Sequence, residues 1–186
     1  HKQRLDKMSA TLPTSNATRK KRKRARLLEA VTAANAEKIA KCLTSCDPNF
    51  IDDNTGETPL SLSITNVSQT TSTIQRVIVA LINGGALIDF RTKDGRTALH
   101  CAVQKSNYVA LKTLLDLGAS PNYRDGHNLT PLFYTILYKS NSKLTQLLLF
   151  EHSVHGVMDQ QGWQEIHHAC KLGLVAHLEQ LLYYGC

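Results

Sequence analysis

The sequence predicts an all-α solenoid of helix–turn–helix units, each opened by a β-turn finger. Three observations predict it. A four-residue phrase recurs as Thr58-Pro59-Leu60-Ser61, Thr97-Ala98-Leu99-His100, Thr130-Pro131-Leu132-Phe133 and Gln164-Glu165-Ile166-His167, at separations of 39, 33 and 34 residues. A closing phrase recurs behind it, as Cys46-Asp47-Pro48-Asn49-Phe50, Gly85-Ala86-Leu87-Ile88-Asp89-Phe90 and Ala119-Ser120-Pro121-Asn122-Tyr123. In the repeat read most clearly, Leu99, Ala102 and Val103 share one helical face and Val109, Leu111, Leu114 and Leu115 make the facing stripe. A unit of this length buries its apolar face only against its neighbours, so the chain is first of all a stacked binding surface.

A period of about 33 carrying T-P-L-H resembles the ankyrin repeat, one β-turn and two helices per unit. The fold expected is therefore an ankyrin-repeat solenoid, a truncated array of about four repeats. Residues 1–18 lack apolar periodicity and are rich in Ser, Thr, Asn and Lys, which reads as a flexible linker from an upstream domain. Residues 19–50 read as a capping repeat without a turn motif, with helices roughly over 22–33 and 36–44. Residues 51–90 form a second repeat with an insertion of about six residues within 65–73, expected to be an exposed loop. Residues 91–123 follow. There Gly95 supplies the finger turn, Thr97 caps a helix and Gly118 ends its partner. Residues 124–157 make the next repeat and 158–186 the last. The array is expected to continue past Cys186, leaving Leu178, Leu181 and Leu182 exposed and the last helix pair the least protected unit.

No apolar run approaches the roughly 18–20 residues of a membrane span, and no secretory signal core is present. Five cysteines without metal or disulfide spacing point to a reducing compartment. The Asn-x-Ser/Thr triplets at Asn16, Asn66 and Asn128 then carry no glycan. The net charge of +7 is matched by the seven cations between Arg19 and Arg26 alone, so the remainder is close to neutral. Such a run reads as a nuclear localisation signal, a phosphate-binding patch, an attachment for an anionic membrane, or a solvated first turn. Lysines at a helix N-terminus oppose the macrodipole, so fraying is expected there. Aromatics for base stacking are absent, which argues against nucleic acid.

His152, His155, His167, His168, Cys170 and His177 invite a metal reading, but zinc needs four well-spaced ligands and the pattern supplies none. His100 and His167 occupy the repeat's histidine position, where the ring holds neighbouring backbone. Cys101 and Cys170 are expected on the inward face, and a buried thiol without an activating field is inert. No phosphate loop or paired acid motif appears, so neither catalysis nor a cofactor is expected.

The concave surface is the stronger candidate, lined by finger tips and by the last turn of each first helix. Its offsets select Asn54, Thr55, Glu57, Thr65 and Asn66, then Lys93, Asp94, Arg96, Gln104 and Lys105. Tyr123, Arg124, His127, Leu129, Leu137 and Tyr138 follow, then Gln160, Gln161, Trp163, Lys171 and Leu172. The lining changes from polar to basic to aromatic. Large apolar groups at exposed positions have the profile of interface hot spots. The structural alternative is that Trp163 and Leu129 pack across adjacent turns to stiffen the stack.

Several stretches resemble the ankyrin region of the Shank (ProSAP) scaffold family. These are Gly56-Glu57-Thr58-Pro59-Leu60-Ser61-Leu62-Ser63, Asn83-Gly84-Gly85-Ala86, and Leu114-Leu115-Asp116-Leu117-Gly118-Ala119-Ser120-Pro121. The most specific is Gly162-Trp163-Gln164-Glu165-Ile166-His167-His168-Ala169-Cys170, continued by Leu181-Leu182-Tyr183-Tyr184-Gly185. The basic run and the Ser/Thr-rich insertion depart from the vertebrate-like pattern and suggest a divergent or invertebrate member. The resemblance implies a multidomain postsynaptic scaffold, in the cytoplasm at the postsynaptic density or cell cortex. It also implies an upstream ubiquitin-like domain able to fold back on the array, and protein partners that include spectrin and Sharpin. A nuclear or nucleic-acid-associated ankyrin cofactor, using the basic run, is the alternative.

Overall fold

The computed structural model describes residues 15–65 and 70–185, which form ten helices in five consecutive pairs. The pairs are α1 (Ser15–Thr32) with α2 (Ala36–Leu43), α3 (Pro59–Thr65) with α4 (Thr71–Asn83), and α5 (Ala98–Gln104) with α6 (Tyr108–Asp116). They continue with α7 (Pro131–Leu137) and α8 (Ser142–Phe150), then α9 (Glu165–Lys171) and α10 (Val175–Tyr183). Odd-numbered helices stack in one layer and even-numbered helices in a second. Between the layers runs one continuous apolar core, from Leu27 and Val31 through Ile78, Leu99, Leu114 and Phe133 to Leu181, all inaccessible to solvent.

Local chemistry explains why each pair turns where it does. A left-handed residue ends the first helix of three pairs, at Ala34 (φ 53°), Ser106 (φ 50°) and Lys139 (φ 48°). An asparagine follows and caps the second helix. Asn35 accepts from the Lys38 amide at 2.9 Å, Asn107 from Ala110 at 3.0 Å and Asn141 from Lys143 at 3.0 Å. The fingers close on short side chains in the same way. Asp125 Oδ1 accepts from the His127 and Leu129 amides, and Asp159 Oδ1 from those of Gln161 and Trp163.

Neighbouring fingers approach closely enough to require glycine. The Gly126 amide donates to the Asp94 carbonyl at 2.9 Å. A Cβ on Gly95, which sits at φ +78°, would stand 2.9 Å from the Gly126 nitrogen, and one on Gly126 would stand 2.8 Å from the Asp94 oxygen. The recurring closing phrase also has a physical role. Asn49 accepts from the Leu87 amide at 2.8 Å and donates to the Gly85 carbonyl at 3.0 Å. One repeat later Asp89 accepts from the Ser120 amide at 3.3 Å, and next Asn122 accepts from Val154 at 2.7 Å and donates to His152. Each therefore staples its unit to the following one. Asn122→Ala is expected to cost about 1 kcal/mol by denaturant unfolding, and an unchanged midpoint would show the staple to be dispensable.

Three expectations are corrected. The basic run does not fray: α1 starts at Ser15, inside the segment expected to be linker, and carries the run in helical form. Tertiary contacts offset the adverse dipole there. Lys23 Nζ donates to the Ser45 carbonyl at 2.8 Å, the Arg24 guanidinium lies 4.5 Å from the Phe50 ring centre, and Leu27 is fully buried. Leu181 is also fully buried rather than exposed, since α10 lays it against α8 and α9; Leu178 is half-buried, and Leu182 is exposed as expected. Cys170 is exposed rather than inward, for a reason taken up below. Residues 1–14 of the expected linker, 66–69 of the expected insertion loop with Asn66, and Cys186 lie outside the described residues.

Candidate partner-binding surface

The finger tips and the last turns of α3, α5, α7 and α9 set the predicted residues in a row, and their states differ. Arg96 is not a free cation. Its guanidinium donates to Glu57 at 3.1 Å, Asp94 at 3.3 Å and Gln104 Oε1 at 2.8 Å, with only 17% of the side chain accessible. Gln104 in turn donates to the Tyr138 hydroxyl at 3.3 Å. The expected basic stretch is therefore partly neutralised and joined to the aromatic one. Leu129 is buried, and its carbonyl is used inside the stack. This corrects its placement on the surface. Lys93, Lys105, Tyr123, Arg124 and His127 remain exposed. Arg91 lies over the Tyr123 ring at 5.1 Å, and Arg124 donates to Asn128 at 3.3 Å.

Farther along, apolar side chains stand open to solvent: Leu137 is 39% exposed, Tyr138 48%, Trp163 38% and Leu172 36%. Tyr138 and Leu172 hold the same place in consecutive repeats, each the C-cap of its first helix. The Trp163 ring packs on His168 (5.4 Å) and His167 (6.2 Å) of its own repeat, beneath the Lys171 ammonium at 4.8 Å. Trp163, His167 and Lys171, with Gly162, Ile166 and Cys170, wall a mainly apolar hollow of about 570 Å³.

Sequence reasoning missed the groups that hold this strip in place. Tyr134 is buried and donates to Asp125 Oδ2 at 2.7 Å, while its ring lies between that of His100, edge-on at 5.1 Å, and that of Tyr138, tilted at 5.2 Å. Burial and that hydrogen bond push its phenol well above the ordinary range. In the next repeat His168 takes the equivalent place and meets Asp159 Oδ2 at 2.8 Å. The Trp163 amide, ahead of other causes, holds the Asp159 carboxyl below its usual range. The available signal was an aspartate standing nine residues before Tyr134 and before His168.

Burial pushes the Cys101 thiol up to about 12 and the His100 ring down to about 4. Among the described residues no group of three His, Cys, Asp or Glu could hold a metal ion, and no helix is long and apolar enough to cross a membrane.

The family model for ankyrin repeats, in three copies, matches residues 27–125, a little over half of the chain. The chain belongs to the ankyrin-repeat family. An ankyrin array is a protein–protein interaction module, and this is the coarse function of the chain. The resemblance to the Shank family is borne out as well. The chain is 53% identical over 150 residues, 80% of its length, to SH3 and multiple ankyrin repeat domains protein 2 of Homo sapiens. It is 44% identical over 174 residues, 93% of its length, to protein 1 of that name in the same organism. It also resembles inversin of Gallus gallus, with 38% identity over 82 residues, 44% of this chain and 7% of that one. The chain spans about 8% of the length of the two SH3 and multiple ankyrin repeat domains proteins.

The ankyrin histidine behaves differently in the third helix pair and in the fifth. In α5, the Thr97 amide donates to His100 Nδ1 at 3.1 Å, so Nε2 carries the proton and donates to the Leu129 carbonyl of the next finger at 3.0 Å. In α9, His167 Nδ1 accepts from the Gln164 amide at 3.0 Å, but the ring is exposed and Nε2 meets no partner among the described residues. Cys170 shows the same contrast. Val103 and Ile136, its counterparts in α5 and α7, are fully buried where a further pair follows, whereas Cys170 lies open.

Proposed function

We propose that this ankyrin array is the protein-binding module of a multidomain postsynaptic scaffold, cytoplasmic and located at the postsynaptic density or cell cortex. The partner lies along the strip from Lys93 and Lys105, past Tyr123, Arg124 and His127, to Leu137, Tyr138, Trp163, Lys171 and Leu172, with Arg96 setting the strip's shape rather than contacting the partner. The observation that carries this reading is the group of half-exposed apolar side chains Leu137, Tyr138, Trp163 and Leu172, two of them at repeat-equivalent positions, beside exposed cations that make no ion pair among the described residues. Such a strip suits a protein segment with apolar anchors and acidic flanks. Spectrin, Sharpin and the scaffold's own ubiquitin-like domain are the candidate partners that the Shank resemblance supports. The open face of α9, with His167 Nε2 unpartnered and Cys170 bare, supports a further repeat stacking there.

The test is capture of these three candidates by the chain and by a Tyr138→Ala/Leu172→Ala variant. Both substituted positions are helix C-caps with exposed side chains, so the fold should survive. Loss of capture by about tenfold or more is expected, as for hot-spot residues. Equal capture by a variant with an unchanged unfolding midpoint would move the interface off this strip.

A further inference from the structure

The cations of α1 divide into two groups. Lys23 and Arg24 serve the fold through Ser45 and Phe50. Arg19, Lys20, Lys21, Arg22 and Arg26 are exposed and have neither an ion pair nor a hydrogen bond among the described residues. Asp47, Asp52 and Asp53 share shallow hollows with the run, and Glu29 shares another with Arg26. They leave the run with a clear positive excess. Leu27 and Val31, both fully buried, fix the other half of α1 in the core. The result is a charged helical prong at one end of the array, away from the aromatic strip of α7 and α9.

We propose that this prong is an attachment site for an anionic lipid bilayer. Successive side chains of a helix point about 100° apart, so Arg19 to Arg22 face all sides, and the hollows beside them are shallow and shared with Asp47, Asp52 and Asp53. A diffuse set of cations suits an extended surface whose charges can move to meet it. Between Arg19 and Arg26 there is no aromatic side chain to stack on bases. Nor is there an apolar side chain large enough to enter the acyl region, so attachment is electrostatic and should weaken steeply with salt. Lipid binding at α1 leaves the strip from Lys93 to Leu172 free, and the array would present its partner groove beside the membrane.

The experiment is co-sedimentation of the chain with vesicles of phosphatidylcholine alone and of phosphatidylcholine mixed with phosphatidylserine, at low and at physiological salt. Binding to the anionic vesicles alone is expected, falling as salt rises. The variant Arg19→Gln/Lys20→Gln/Lys21→Gln/Arg22→Gln/Arg26→Gln keeps good helix formers and spares Lys23 and Arg24. It should retain the helical circular dichroism of the parent and lose binding by about tenfold or more. No binding to anionic vesicles, equal binding to both vesicle types, or full binding by the variant would each overturn the proposal. Preferential release from the vesicles by a DNA duplex at matched phosphate concentration would reassign the prong to nucleic acid.

Discussion

Phe133→Ala is expected to destabilise the chain by about 3–5 kcal/mol, the range for emptying a fully buried aromatic site. Phe133 is inaccessible to solvent and stands edge-on to His168 of the next repeat, with ring centres 5.3 Å apart. It occupies the position that His100 fills one repeat earlier, so here dispersion replaces the polar bridge to the next finger. An ankyrin array is stabilised by its units plus their nearest-neighbour interfaces, and the loss should fall on the contact between α7 and α9. Amide exchange should therefore show α9 and α10 losing protection first while α3 to α6 keep theirs. Phe133→Leu, which fills most of the volume, should recover much of the stability. An unfolding midpoint unchanged in Phe133→Ala, or protection lost evenly along the array, would show that Phe133 does not couple these repeats.

Acid should begin to loosen the array above the range in which carboxylates titrate. Burial holds the His100 ring down to about 4 against an ordinary value of 6.5. Its geometry explains why: Nδ1 must stay bare to accept the Thr97 amide, and a second ring proton would face that N–H. Between about pH 6.5 and 4 the unfolded chain takes up a proton at this site and the folded chain does not. Stability from His100 is therefore complete above pH 6.5 and falls as pH is lowered toward 4, by about 3 kcal/mol in all. His177, whose Nε2 donates to the Ser140 carbonyl at 2.7 Å, is also held low by burial and acts in the same sense. Glu165, raised by burial, opposes it, since its carboxyl is easier to bury once protonated. Urea midpoints across this window should drop in the parent, with a shallower slope in His100→Phe, which borrows the residue of the next repeat. Parallel slopes would remove His100 as the origin of the acid sensitivity.

The repeat period, the finger turns and the helix pairs were legible because they are local. Pro59 and Pro131 open helices, Asn35, Asn107 and Asn141 cap them, and Gly95 takes a positive φ beside a neighbouring backbone. Each of these preferences acts within a few residues. The candidate strip was legible only in outline. Offsets within the repeat selected Leu137, Tyr138, Trp163 and Leu172, and all four are half-exposed. The same offsets selected Leu129, which is buried, and Arg96, which Glu57, Asp94 and Gln104 hold in place. Tyr134 and His168, which set the strip's shape, were passed over because their partners Asp125 and Asp159 look like ordinary turn residues.

The sequence by itself determined that this chain is an ankyrin array of the Shank kind, because spacing, turn chemistry and apolar identity all lie along the chain. Tertiary structure alone decided which side chains are free to act. It kept the basic run helical through Ser45 and Phe50, closed Leu181 into the core and left Cys170 open. The reason is common to all three. In a solenoid a side chain is buried or bared by the neighbouring repeat, and its own sequence does not specify how that neighbour will sit.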